Sequence, residues 1–177
     1  MINEYGTSGP MNPETERTPQ GVESNDKVIS TLNDLIETCR DGEEGFREAA
    51  EGVKRSDLKT IFYEFSQQRA EFMGVLQELV RSLGGDPETS GSIAGAAHRG
   101  WINIKSAVTG QDESAILNEC ERGEDHAKSA YADALKLALP ANITDILRQQ
   151  SQSVQAAHNR VKELRDAESH KTASSSF

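Results

Sequence analysis

Four stretches of this chain repeat apolar residues every three or four positions for about 25 residues each, and none alternates them every second position. That period confines the fold to amphipathic helices with one face turned to a shared interior. The first stretch covers residues 26–54, with Val28, Leu32, Leu35, Ile36, Cys39, Phe46, Ala50 and Val53 on one face. Ser24, Asn25 and Asp26 offer it a cap. The second covers 56–83, with Leu58, Ile61, Phe62, Phe65, Phe72, Val75, Leu76, Leu79 and Val80, and is halted by Gly84 and Gly85. The third covers 112–138, with Ile116, Cys120, Gly123, Ala127, Ala130, Tyr131, Ala134 and Leu135. Pro140 opens the fourth, which runs to residue 167 on Ile143, Ile146, Leu147, Val154, Ala157, Val161 and Leu164.

The connections order these helices. Almost nothing separates the first from the second, or the third from the fourth, so each pair is an antiparallel hairpin. The link over residues 84–111 is long enough to run back along a helix of about 40 Å, at ~1.5 Å per residue, and holds a short helical piece within "SIAGAAHRGWINIKSAV". The expected fold is all-α: a ferritin-like four-helix bundle of two antiparallel hairpins joined by a long crossover. Residues 24–167 form the bundle. Residues 1–23 and 168–177 lack periodicity and are expected to be disordered tails.

Each helix interrupts its apolar face near its midpoint. Glu43 falls between Cys39 and Phe46, and Gln68 between Phe65 and Phe72 with Glu71 one turn on. Glu124 falls between Cys120 and Ala127, and His158 between Val154 and Val161 with Gln155 three residues before. In antiparallel hairpins midpoints lie at one level, so these groups are expected to share a layer. Di-iron carboxylate bundles bind metal at that level through a Glu from each of two helices and a Glu-x-x-His from each of the others. The matching positions are Glu43, Gln68-x-x-Glu71, Glu124 and Gln155-x-x-His158. Gln opens both motifs, removing charge that an iron pair needs, and Glu71 replaces one imidazole. Two readings stay open. One is a degenerate site for a divalent ion (iron, manganese or zinc) on Glu43, Glu71, Glu124 and His158, with Gln68 and Gln155 behind them. The other is a metal-free polar layer that fixes the register of the bundle, its carboxylates paired with Arg69, Arg122, Arg47 or Lys128.

"ECERGEDHA", residues 119–127, divides by the same period: Cys120, Glu124 and Ala127 turn inward, Gly123 admits a close neighbour, and Glu119, Glu121, Asp125 and His126 face solvent or adjacent helices. In "HRGWINIK", residues 98–105, Trp101 with Ile102 and Ile104 is expected to cover the bundle, the alternative being an anion or partner site at His98 and Arg99. Tyr63, Met73 and Tyr131 are expected at the margin of the core, where copies of the chain associate. Cys39 and Cys120, with no CxxC, suit reduced thiols in a cytoplasmic protein.

"LNDLIETCRDGEEGFREAAE", "HRGWINIK", "ECERGED" and "AAHNRVKEL" together resemble a bacterial family of ferritin-like bundles known only as a domain of unknown function, over residues 27–164. The resemblance implies a bacterial ferritin-like fold without an established activity, and a stress-associated context. The net charge of −10 repels nucleic-acid phosphates and anionic membranes, so neither is an expected partner, and a homo-oligomer is. No phosphate loop, nucleophile elbow or triad order marks an enzyme. No leader is expected either, since the first residues lack a basic region followed by an apolar one.

Overall fold

The structure, a computed structural model, describes residues 21–89 and 100–174. These form five helices: α1 (Asn25–Gly52), α2 (Ser56–Ser82), α3 (Ile104–Thr109), α4 (Glu113–Ala134) and α5 (Ala141–Ser174). Local chemistry sets their ends. The Ser24 hydroxyl accepts from the Lys27 amide at 3.3 Å, and Asp112 accepts from the Ser114 and Ala115 amides at 3.0 and 3.2 Å. Gly84 stops α2 at φ +80°, a conformation that a side chain disfavours. Between α1 and α2 the amides of Lys54 and Arg55 both donate to Glu113 Oε1, at 2.9 and 3.1 Å, so the start of α4 closes the first hairpin.

α1 packs against α2, α4 and α3, α4 packs against α5, and α2 and α5 meet through side chains, Leu76 and Val80 sharing a core cluster with Ile143, Leu147 and Val154. The described residues that follow α2 turn onto α1. Asn33 donates to the Asp86 carbonyl and accepts from the Glu88 amide, at 3.2 and 2.9 Å, and Arg40 donates to the Glu88 carbonyl at 2.8 Å. The first residues of the crossover thus lie against α1. The apolar interior is split in two. Val28, Leu32, Ile36, Leu76, Val80 and Ile143 belong to one half. Phe46, Leu58, Phe62, Trp101, Ile116 and Val161 belong to the other. The mid-bundle polar groups lie at the level between them.

Trp101 is buried, as expected, at 6% exposure, with its ring edge-on to Phe46 at 4.9 Å between centroids. Its indole is wedged between α1 and α4. A Cβ on Gly45 or on Gly123 would lie 2.2 Å from indole carbons, so both helices need glycine there. Gly123 admits a close neighbour as its position suggested, and the neighbour is Trp101.

Three expectations change. Residues 168–174 continue α5 instead of forming a tail, because Arg55 Nη1 holds Glu168 at 2.9 Å and ties the extension to the first hairpin. Tyr131 is fully buried rather than marginal, because its hydroxyl finds partners inside the bundle. Val75, placed on the inward face, is 44% exposed, because the buried row of α2 runs through Leu58, Phe62, Arg69, Leu76 and Val80 instead. Tyr63 lies outside at 44%, and Met73 is half-buried against the core. His98, Arg99 and most of the expected short helix before residue 100 lie outside the described residues, as do residues 1–20 and 175–177 of the tails.

The wedge yields a graded prediction. Gly123→Ala and Gly45→Ala should destabilise by about 1–3 kcal/mol through overpacking, despite alanine's better helix propensity. Gly74→Ala meets nothing within 4 Å and should instead stabilise by about 0.5–1 kcal/mol. Urea unfolding of the three variants checks both signs.

Candidate functional site

The waist of the bundle is built around an ion pair. Arg69 of α2 and Glu124 of α4 are each 1% exposed. Arg69 Nη2 donates to both carboxylate oxygens of Glu124 at 2.7 Å, and Nη1 donates to Gln68 Oε1 at 2.6 Å. The guanidinium carbon lies 5.9 Å from the Phe46 ring and 5.6 Å from the Phe72 ring, so aromatic faces also stabilise the cation. The arginine stem reaches the centre across α1 at Gly42, where a Cβ would come within 3.1 Å of Arg69 Cγ. Burial pushes the Glu124 carboxyl above its ordinary value, and the guanidinium opposes that shift.

A second polar chain lies beside it. Cys39 Sγ is 3.3 Å from Tyr131 Oη, which donates to Gln150 Oε1 at 2.8 Å. Gln150 Nε2 in turn reaches the Phe72 carbonyl at 3.5 Å. Burial pushes the Cys39 thiol up to about 11 and raises Tyr131 well above its usual value, so both are neutral donors here. Cys120 is buried as well, and its thiol is raised by burial and by Glu124 and Glu119.

The residues proposed from sequence are placed as follows. Glu124 is central. His158 is buried near it, with Nε2 2.8 Å from Asp125 Oδ1 on α4. Glu43 is half-buried and pairs with Arg47 at 3.5 Å on its own helix. Glu71 is exposed on the outer side of α2, accepting from Gln67 at 3.1 Å. Gln68 touches the centre only through Arg69, and Gln155 is exposed, donating to Asn159 at 2.8 Å. The expected set of Glu43, Glu71, Glu124 and His158 is therefore not brought together. Among the described residues no three His, Cys, Asp or Glu side chains are placed to hold a metal ion. A mid-bundle metal does not fit these residues: both oxygens of the central carboxylate are engaged by a fixed cation that repels a second one.

Sequence reasoning took the wrong line on α2. Leu58, Phe62, Arg69, Leu76 and Val80 form the buried row, and the spacing of seven from Phe62 to Arg69 and from Arg69 to Leu76 is the signal that places Arg69 inside. On α5 the corresponding group is Gln150, in line with Ile143, Leu147, Val154 and Val161. The remaining residues of "ECERGEDHA" behave as expected. Glu119 binds Arg122 at 2.6 Å and the Asn103 amide at 3.1 Å, and Glu121 binds Arg165. Asp125 meets His158.

Two predictions follow from these networks. Glu124→Ala strands a buried guanidinium and should cost about 3–5 kcal/mol, whereas Arg69→Met combined with Glu124→Leu should cost far less or stabilise. Chemical denaturation of the single and double variants reads the difference. The Cys39 value is raised, so its contribution is fully present below the unfolded thiol value near 9 and is lost as pH rises through 9 to 11. Stability should fall by about 2–3 kcal/mol more in the parent than in Cys39→Ala across that window, at about 1.4 kcal/mol per pH unit.

Comparison with known proteins agrees with this architecture. The family described as "Domain of unknown function (DUF2383)" matches residues 27–137. No curated protein matches the chain in sequence. Among solved structures, a two-domain protein of Anabaena variabilis with DJ-1/ThiJ/PfpI-like and ferritin-like domains superposes with TM-score 0.67 at 12% identity. The match covers 93% of this chain and 46% of that one, so the chain spans about half the length of that protein. A dodecameric thioferritin, the bacterioferritin-related protein of Bacteroides fragilis, superposes with TM-score 0.65 at 14% identity, over 85% of this chain and 91% of that one. The chain belongs to the DUF2383 family, and its fold is that of a ferritin-like helical bundle.

Proposed function

We propose that this protein is a metal-independent member of the ferritin-like fold, a non-catalytic bundle that acts through its surface. The observation that carries the reading is the Arg69–Glu124 pair, in which one guanidinium nitrogen engages both carboxylate oxygens and so places a protein cation where a ferritin-like centre would need those oxygens open. The degenerate motifs support it, since Gln68 and Gln155 bring no charge and Glu71 is turned outward. Two buried free thiols support a reducing, cytoplasmic setting. The dodecameric assembly of the Bacteroides fragilis protein supports reading the chain as one unit of a homo-oligomer, and the stress-associated context of the family resemblance fits a structural or docking role.

Protein purified without chelator is expected to carry far less than one iron, manganese or zinc per chain, and its melting temperature should not respond to those ions. Elemental analysis and thermal melting measure both. A bound ion would stabilise by about 2.7 kcal/mol at a hundredfold excess over its dissociation constant. Stoichiometric metal that Glu43→Gln or His158→Ala releases would overturn the reading and restore a carboxylate–histidine centre.

A further inference from the structure

We draw no further inference here: the strongest candidate, the cavity of about 330 Å³ between α1 and the start of α3 that Asp41, Glu44, Glu48, Trp101 and Ile102 line, carries nothing, because its carboxylates are an acidic cluster on one helix and nothing in the structure shows what they would hold.

Discussion

Taking a guanidinium and a carboxylate out of water at the centre of four helices costs several kcal/mol per ion, and only their mutual geometry returns it. Arg69 and Glu124 meet with one nitrogen shared between two oxygens, and the rest of the waist is arranged to keep them there. Gly42 on α1 opens the path for the arginine stem, Gln68 takes the second nitrogen, and Phe46 and Phe72 flank the cation. α1, α2 and α4 are thereby locked at one level. A slip of either hairpin by a turn, about 5.4 Å, would leave both charges buried alone. Apolar packing above and below tolerates small shifts, but this pair does not, so it fixes the register on which the two half-cores depend.

The same interaction decides what the interior can do. A guanidinium holds its proton at any working pH, so the central positive charge is permanent and cannot be exchanged for an ion from solution. The neighbouring Cys39–Tyr131–Gln150 chain is neutral, since burial raises the thiol and the phenol alike. A permanent ion pair beside a neutral hydrogen-bonded chain offers neither an open ligand position nor a group poised to exchange protons near neutrality. The pair and the chain beside it therefore serve to hold the waist together.

Much of this was legible in the sequence because helical periodicity is a local property. Four apolar faces, two tight turns and one long link fix the hairpins and the crossover. The place of Glu124, the closeness permitted by Gly123 and the burial of Trp101 follow from the same period. The site was less legible because α2 carries two apolar rows about a quarter turn apart. Which of them faces inward is settled by the packing of α1 and α5, not by α2. Choosing the row of Phe65 and Phe72 puts Gln68 and Glu71 at the waist, and choosing that of Phe62 and Leu76 puts Arg69 there. The continuation of α5 to Ser174 was hidden for a related reason. Its last turns are polar, and Arg55, more than a hundred positions away in the chain, is what holds Glu168.

The two rows on α2 also explain how one helix serves two neighbours. A helix packed on all sides needs apolar residues all round, and one packed on a single side needs a single stripe. α2 has a stripe broad enough for two neighbours and uses both: it packs along α1, and it shares a core cluster with Ile143, Leu147 and Val154 of α5. α1, by contrast, is enclosed by α2, α3 and α4, and the crossover bonds to its outer polar residues. The described ends of the crossover lie against α1 and between α1 and α4, where Trp101 is held between two glycines. α2 thereby turns Arg69 to the waist while both of its apolar rows serve the interior, and of the second row Val75 is left exposed.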